Sequence, residues 1–456
     1  MTEAQVFDAQ QNFFNSNTTK DISWRLEQLF KLEVLLKQHE DLLYTAIKED
    51  FEKSQFETYV TELSFIYSEI DYTRKNLKSW AKRKRVATGI ANFPAHSYII
   101  PEPLGSCLVI GAWNYPYQLS LLPAVAALAA GNTVIIKPSE MPARTAAAMA
   151  QIINKNFDPK ILYVAEGNAE MTTKLLKLKF NKIFFTGSTA VGKIVYKAAA
   201  ENLVPVTLEL GGKSPTFVFE DADIALSAQR IVWAKFLNAG QTCVAPDFII
   251  VSKSIEQKFL NALKEEIEKR YSNIDVTDDH YLQIINHKNF DRLIKLIDPS
   301  KVFYGGNSHS EKRFIAPTIL QNVTFDDKVM QEEIFGPILP VISFDTIEEA
   351  IAQVKAQPKP LSLYIYTKSS KITDRLLNEL SFGSGAINDS VMQLSNHHLP
   401  FGGVGNSGMG SYHGKSSFDN FSHFKSILHK PFWFESSMKY APYTNIKLKL
   451  VKWLLG

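Results

Sequence analysis

The stretch "SCLVIGAWNYPYQLSLLPAVAALAAGNTVIIKPS", residues 106–139, decides the fold of this chain. It begins with the apolar run "SCLVIGAW", continues into a helix predicted over 119–130, and ends with a second apolar run, "TVIIKPS". Pro123, Gly131 and Asn132 interrupt the apolar residues, so a membrane span is not expected here. Strands that are apolar throughout and separated by a helix are typical of a buried parallel sheet.

The alternation of strand and helix extends in both directions from this stretch. It continues through "ILYVAEG" and "KIFFT" and then restarts as a second α/β unit over about 211–390. Helices are predicted upstream, over 21–52 with Asp21 as N-cap and over 57–82. Residues 86–104 carry Gly, Pro and β-branched residues and predict an extended arm or a hairpin. The sequence therefore predicts two α/β units flanked by helices, an arm and a tail.

Composition excludes several classes of protein. The 456 residues include 50 basic and 47 acidic ones, a balance that gives no electrostatic case for a nucleic-acid partner. Two cysteines cannot build a disulfide framework, which favours a reducing, cytoplasmic location. The N-terminus lacks a basic region followed by an apolar one, so a signal peptide is not expected.

One of the two cysteines, Cys243, lies in the polar, glycine-bearing stretch "FLNAGQTCVAPD" (236–247). A lone cysteine is usually a small buried hydrophobic residue. A loop cysteine becomes a nucleophile when nearby donors favour its thiolate. Because the neighbouring residues are polar, the interpretation of Cys243 as a nucleophile is slightly favoured over that of a buried core residue. Cys107, inside an apolar run, is predicted to be core.

The sequence offers no histidine motif as a base for this thiol, and no His, Cys and carboxylate residues have the spacing of a metal site. Glu209 is the unusual acid because it ends an apolar strand and precedes two glycines, which leaves room for a ligand. A strand-end charge that points to water is an equally good interpretation of Glu209 alone.

Several other polar residues follow predicted strands. Gly187 and Ser188 stand between a strand and a helix, where backbone N–H groups can bind a pyrophosphate. Lys137 and Glu140 follow another strand and could hold ribose hydroxyls or form a surface ion pair. Asn114 ends its strand and could donate to an oxyanion. A further polar-aromatic loop contains Glu333 and Phe335.

Taken together, the motifs resemble those of the aldehyde dehydrogenase superfamily. The chain contains, in the family's order, "WNYP", "KPSE", "FTGSTAVG", "LELGGKSP", "GQTC", "EEIFGP" and "PFGGVGNSGMG". "GQTCVAPD" and the C-terminal region most resemble the class 3 branch, which includes enzymes for aromatic and medium- to long-chain fatty aldehydes.

The resemblance implies a role for each matching residue. Cys243 corresponds to the nucleophile, Glu209 to the general base and Asn114 to the oxyanion donor. The implied cofactor-binding residues are Trp113, Lys137, Glu140, Phe185, Gly187, Ser188, Val191, Gly192, Leu210, Glu333 and Phe335. Tyr115 and Phe401 are predicted to line an apolar substrate tunnel.

The resemblance also implies a fold and a reaction. The fold is an α/β fold with a Rossmann-like NAD-binding domain (1–85 and 104–210), a second α/β catalytic domain (211–390) and a bridging region (86–103 and 391–456). The reaction is NAD(P)-dependent oxidation of an aldehyde to an acid through a cysteine thioester. NAD is the expected cofactor, because Glu140 should repel a 2′-phosphate. NADP is the alternative, because class 3 relatives often accept both.

Two alternatives stay open: a CoA-acylating or semialdehyde-specific relative, and a non-catalytic NAD-binding protein on the same fold. The class 3 branch suggests a homodimer. The basic and apolar tail, "MKYAPYTNIKLKLVKWLLG", is expected to pack on a partner subunit, with contact to a membrane surface as the alternative.

Overall fold

A computed structural model of the chain describes residues 1–271 and 281–455. The α-helices are α1 (Glu3–Asn15), α2 (Ile22–Gln38), α3 (Glu40–Phe51), α4 (Gln55–Thr58), α5 (Ser64–Trp80), α6 (Pro116–Ala130), α7 (Ala143–Asn156), α8 (Ala169–Leu176), α9 (Thr189–Ala200), α10 (Ile224–Phe236), α11 (Glu256–Tyr271), α12 (His287–Ile294), α13 (Ile347–Lys355), α14 (Ser370–Glu379), α15 (Lys415–Asn420) and α16 (Asn445–Leu455). The strands are β1 (Lys84–Val86), β2 (His96–Pro103), β3 (Ser106–Ile110), β4 (Thr133–Lys137), β5 (Leu162–Val164), β6 (Lys182–Thr186), β7 (Val206–Glu209), β8 (Pro215–Val218), β9 (Phe248–Ser252), β10 (Val302–Tyr304), β11 (Ser308–His309), β12 (Phe314–Ile315), β13 (Thr318–Leu320), β14 (Ile338–Phe344), β15 (Ser362–Tyr366), β16 (Ser384–Ile387), β17 (Gly408–Met409) and β18 (Ser422–His429).

The stretch 106–139 forms the centre of a six-stranded sheet with the order β17-β7-β6-β3-β4-β5. All neighbours in it are parallel except the short β17, which pairs antiparallel with β7. Every residue of β3, β4 and β6 is buried, as their apolar sequences predict. Helix α6 ends at Gly131, whose φ of 95° is in the left-handed region that favours glycine. The predicted α/β architecture with parallel sheets is confirmed.

A second sheet has seven strands in the order β10-β13-β14-β9-β8-β15-β16. Its strands are parallel except at the β10–β13 edge. The segment between α10 and β9 faces the ligand cavity of the first sheet and carries Cys243.

The predicted arm and the strand β18, which precedes the tail, belong to a smaller, three-stranded sheet. Strand β2 of the arm pairs antiparallel with β1 on one side and with the long β18 on the other. Helix α16 follows in the tail, and its side chains Ile446 and Trp453 are largely exposed. No described helix is both long and apolar enough to cross a bilayer.

Two helix predictions need correction. The helix predicted over 21–52 is broken at His39, whose φ of −120° and ψ of 22° separate α2 from α3. Asp21 does cap α2, by accepting a hydrogen bond from the backbone of Trp24. The helix predicted over 57–82 contains a turn of π-helix at Tyr59–Leu63 between α4 and α5. Side-chain periodicity does not detect either irregularity because the apolar face continues through both.

Candidate active site

A cavity of about 660 Å³ lies at the carboxyl edge of the six-stranded sheet. The last residues of four strands line it, namely Ile110 of β3, Lys137 of β4, Thr186 of β6 and Glu209 of β7. This edge is where open parallel sheets bind ligands. Most of the predicted site residues line the same cavity: Trp113, Asn114, Lys137, Glu140, Phe185, Gly187, Ser188, Val191, Glu209, Leu210, Cys243, Glu333, Phe335 and Phe401.

Two predicted site residues do not line the cavity. Gly192 is buried inside α9, one turn behind the helix N-terminus. Tyr115 is buried beside the thiol loop, where its hydroxyl lies 2.6 Å from Oγ1 of Thr242. Tyr115 therefore contacts the residue before Cys243 and not the cavity space itself.

The loop that carries the thiol has an unusual backbone. Asn238 and Ala239 both have positive φ values, 54° and 50°, which are uncommon outside glycine. The Asn238 side chain stabilises this turn, since its Nδ2 donates to the carbonyl oxygens of Asn114 and Gln241, each at 3.0 Å. The turn brings Cys243 from the end of α10 into the cavity.

The surroundings of the Cys243 thiol disfavour its ionised form. Its pKa is raised to about 12, first by burial and then by the negative charges of Glu333 and Glu209. A thiol in such surroundings is a poor nucleophile until hydrogen-bond donors or a positive charge stabilise its thiolate. The second cysteine, Cys107, is fully buried in β3, as predicted.

The Asn114 side chain lies next to the thiol loop. Asn114 is buried, and its Nδ2 donates to the carbonyl oxygen of Gln241 at 3.1 Å. A side-chain amide has two N–H donors, and this bond uses only one of them. The other is available to an oxygen atom that binds beside Cys243.

Glu209 is a buried carboxyl group without a hydrogen-bond partner in the described part of the chain. Both of its oxygen atoms are buried and neither accepts a hydrogen bond from a described residue. Burial raises the pKa of Glu209 well above its usual value. Burying a polar group without a partner is costly, so such a group in a cavity wall indicates a ligand or a reaction that uses it.

Glu333 is held against the glycine that follows Glu209 and Leu210. A Cβ atom on Gly211 would lie 1.9 Å from Oε2 of Glu333, so a side chain at this position would displace that carboxylate. Burial and the nearby Asp247 carboxylate raise the pKa of Glu333 to about 8. The Phe335 ring packs edge-on against Trp113 at 5.3 Å, which closes this side of the cavity.

The opposite end of the cavity fits a dinucleotide. Ser188 caps α9 by accepting a hydrogen bond from the Val191 backbone, so the helix N-terminus faces the cavity. A Cβ on Gly187 would lie 2.6 Å from Cζ of Phe185, so a side chain at this position would displace that ring. Lys137 is buried, and its Nζ lies 3.5 Å from Oε2 of Glu140, whose side chain is half-exposed. This set offers donors to a pyrophosphate and both a donor and an acceptor to ribose hydroxyls.

Sequence reasoning missed several polar residues of the cavity wall, among them Thr186, Arg292 and Tyr412. Thr186 ends β6, and its buried Oγ1 has no partner among the described residues. Its position at the end of a predicted strand could have identified it as a site candidate from the sequence. Arg292 donates to the backbone carbonyl oxygen of Ile334 at 2.7 Å, and Tyr412 forms a bridge with Phe401. These two reach the cavity through long-range packing, which no local pattern predicts.

Comparison with known proteins agrees with this geometry. The family model described as "Aldehyde dehydrogenase family" matches residues 2–427. The chain belongs to the aldehyde dehydrogenase family. It is therefore an oxidoreductase of a family that uses NAD(P) to act on aldehydes.

Individual members of the family are similar over nearly the whole chain. The 4,4'-diaponeurosporen-aldehyde dehydrogenase of Staphylococcus aureus is 48% identical over 98% of both chains. Aldehyde dehydrogenase family 3 member H1 of Arabidopsis thaliana is 41% identical, covering 97% of this chain and 92% of that protein. The substrate-bound structure of Staphylococcus aureus AldH has a TM-score of 0.98 at 46% identity and covers all of both chains. The expected class 3 character of this aldehyde dehydrogenase is thus confirmed.

The raised thiol pKa leads to a first prediction. Without nucleotide, alkylation of Cys243 by iodoacetamide should accelerate about tenfold per pH unit from pH 7 to 10, because the thiolate fraction rises without reaching a plateau. Mass spectrometry of the peptide that contains Cys243 measures the rate, and the fully buried Cys107 serves as an internal control that stays unmodified. A plateau below about pH 9 would show that the thiol is already activated in the free enzyme.

Proposed function

We propose that this enzyme oxidises apolar aldehydes to carboxylic acids, with Cys243 as nucleophile, Asn114 as oxyanion donor and Glu209 as general base. The observation that carries the proposal is the buried Glu209 carboxyl group, which has no partner among the described residues and shares its cavity with the Cys243 thiol. A hydrolytic second half-reaction needs such a base. Relatives that pass the acyl group to coenzyme A generally lack it.

The first half-reaction forms a carbon–sulfur bond. The Cys243 thiolate attacks the aldehyde carbon, and the carbonyl oxygen becomes an oxyanion. The free N–H of Asn114 and the backbone N–H of Cys243 donate to that oxygen. One such donor is worth about 3–4 kcal/mol in transition-state stabilisation elsewhere.

Bound NAD(P) supplies the acceptor for the hydride that leaves the carbon, and the product on Cys243 is a thioester. Lys137, Glu140, the Gly187–Ser188 turn and Glu333 would hold the nucleotide, with Trp113, Phe185, Val191, Leu210 and Phe335 packed beside it and Gly192 supporting the turn. Glu209 then takes a proton from water, and the hydroxide attacks the thioester carbon. The carbon–sulfur bond breaks, the acid leaves, and the Cys243 thiolate is restored.

The proposed substrate class follows from the wall near the thiol. Phe401, Tyr412, Trp113 and Leu119 line the cavity with aromatic and aliphatic surface. Such a wall favours aromatic or medium- to long-chain aliphatic aldehydes. One similar protein is named 4,4'-diaponeurosporen-aldehyde dehydrogenase, after the aldehyde on which it acts.

The domain boundaries, the oligomeric state and the location in the cell are also proposals. Residues 1–85 and 104–210 would form the NAD-binding domain, 211–390 the catalytic domain, and 86–103 with 391–456 the bridging region. A relative from Canis lupus familiaris, 43% identical, is named dimeric, which supports a homodimer. The exposed side chains of α16 would pack on the partner subunit. Two free cysteines support a reducing, cytoplasmic environment.

A second prediction concerns the choice between NAD and NADP. The half-exposed Glu140 carboxylate should repel a 2′-phosphate, so we propose a preference for NAD, although the canine relative is named NADP-preferring. Glu140→Gln should reduce the NAD over NADP preference in kcat/KM by about tenfold. Fluorescence titration of both nucleotides should show the same change in relative affinity. The exposed Glu166, changed to Gln, is the control, and an unaltered preference in Glu140→Gln would contradict the assignment.

The reaction itself is tested with a panel of aromatic and aliphatic aldehydes, with NAD or NADP, in the presence and absence of coenzyme A. NADH or NADPH absorbance and chromatography of the products should show free acid in both cases. Formation of acyl-CoA without free acid would favour the acylating alternative. No turnover of any aldehyde would favour the non-catalytic one.

A further inference from the structure

A buried ion pair lies behind the thiol loop and outside the cavity. Lys53 and Glu62 both have 0% exposed side chains, and the Lys53 Nζ donates to Oε1 of Glu62 at 2.8 Å. Breaking a buried pair leaves an uncompensated charge, so the fold holds both groups firmly. Glu62 lies in the π-helical turn Tyr59–Leu63, an irregularity that frequently accompanies functional sites.

The pair holds the start of α6, the helix that follows Asn114. The second oxygen of Glu62 accepts hydrogen bonds from the backbone N–H groups of Tyr117 at 2.8 Å and Gln118 at 3.3 Å. A carboxylate at a helix N-terminus satisfies free donors and is favoured by the helix dipole. This contact fixes where α6 begins and thereby where the Asn114 backbone lies.

The pair also reaches the thiol loop. The Lys53 ammonium lies over the Tyr115 ring, 4.3 Å from its centre, in a cation–π contact. The hydroxyl of that ring is 2.6 Å from Oγ1 of Thr242, the neighbour of Cys243. Lys53 therefore directly contacts the residue that follows Asn114, and one further contact connects it to Thr242, the residue before Cys243.

A neighbouring carboxylate completes the connection between the two segments. Glu57, one turn before Glu62, accepts a hydrogen bond at 2.7 Å from the backbone N–H of Asn238. The Asn238 side chain in turn binds the carbonyl oxygens of Asn114 and Gln241. The segment 53–62 thus contacts the oxyanion-donor segment and the thiol loop at once.

We propose that Lys53 is a positioning residue for the acylation step. Its buried ammonium pairs with Glu62 and makes a cation–π contact with Tyr115, and together these contacts fix the position of Asn114 relative to Cys243. This inference rests on the proposed function. It assigns Lys53 no contact with the aldehyde or the nucleotide, so its effect should fall on kcat and not on binding.

The test uses the full-length enzyme and the double variant Lys53→Met/Glu62→Gln. The double change removes both charges of the Lys53–Glu62 pair, and the introduced glutamine side chain still offers an oxygen to Tyr117 and Gln118. We expect kcat for aldehyde oxidation to fall roughly tenfold or more, because small misplacements of reacting groups reduce rates strongly. The KM for aldehyde, the NAD dissociation constant and the iodoacetamide rate of Cys243 should each stay within about threefold of wild type.

A second variant keeps the test independent of the ion pair. Tyr115→Phe retains the ring over Lys53 and removes only the hydroxyl that binds Thr242. It should lower kcat in the same way, and the triple variant should lose less than the product of the two separate effects, because both act through one contact chain. The double change Lys301→Met/Asp327→Asn, in a partly buried pair outside the cavity, is the control and should retain wild-type kcat.

Two results would overturn the inference. One is a folded double variant whose kcat lies within about twofold of wild type. The other is a parallel loss of kcat, NAD affinity and thiol alkylation, which would show that the pair only supports the fold. Wild-type enzyme that oxidises no aldehyde would instead refute the proposed function, so the two failures are distinguishable.

Discussion

Cys243→Ser should abolish aldehyde oxidation, with a loss of roughly a thousandfold or more in kcat, because a serine hydroxyl ionises far less readily than a thiol. The change is nearly isosteric, so the cavity keeps its shape. NAD should still bind, since the Gly187–Ser188 turn, Lys137 and Glu140 are untouched. NADH absorbance measures turnover, and quenching of Trp113 fluorescence, a ring in the cavity wall, measures nucleotide binding.

Cys107→Ser is the matched control for this variant. Cys107 lies fully buried in β3 and does not line the cavity, so its loss should leave activity near that of wild type. Retained oxidation in Cys243→Ser would remove Cys243 from the role of nucleophile. If folded Cys107→Ser lost activity and Cys243→Ser did not, the result would indicate that Cys107 is the nucleophile.

Glu209→Gln should stop the reaction after the thioester forms. Glutamine has the size of the carboxyl group but cannot accept a proton from water, so steady-state turnover should fall about 10²- to 10⁴-fold. In the proposed mechanism acylation does not use Glu209, so rapid mixing should still produce a burst of roughly one NADH per subunit. Stopped-flow absorbance separates the burst from the slow phase.

The pH dependence of this step follows from the environment of Glu209. Burial raises its pKa, so the base is protonated at low pH and becomes active as the pH rises through that raised value. Glu220→Gln, which changes a carboxylate that does not line the cavity, is the control and should keep wild-type steady-state turnover. Normal steady-state turnover in Glu209→Gln would assign the base to another group.

Much of the fold was predictable because its signals are local. The apolar strands of the six-stranded sheet, the Asp21 cap and the Gly131 helix end are each determined by a few adjacent residues. The break at His39 and the π-turn at Tyr59–Leu63 were not predictable, because they depend on packing between α2, α3, α5 and α6. The same packing places Lys53 behind the thiol loop, and no spacing in the sequence indicates that contact.

The site was predictable to a different degree. Strand-end positions identified Lys137, Gly187 and Glu209 as candidates, and the structure places all of them on one cavity. Cys243 lies in a connection of the other sheet and reaches this cavity only through the tertiary fold. The sequence implied its presence there only through the family resemblance. Tyr115 was predicted in the substrate tunnel, yet its hydroxyl is bound to Thr242 beside that space.

The most direct test is to locate the acyl group itself. Glu209→Gln mixed with an aldehyde and NAD, quenched in acid and digested, should carry the acyl mass on the peptide that contains Cys243, in an amount equal to the NADH formed. An acyl group on the Cys107 peptide, or NADH formation with no acylated peptide, would contradict covalent catalysis by Cys243.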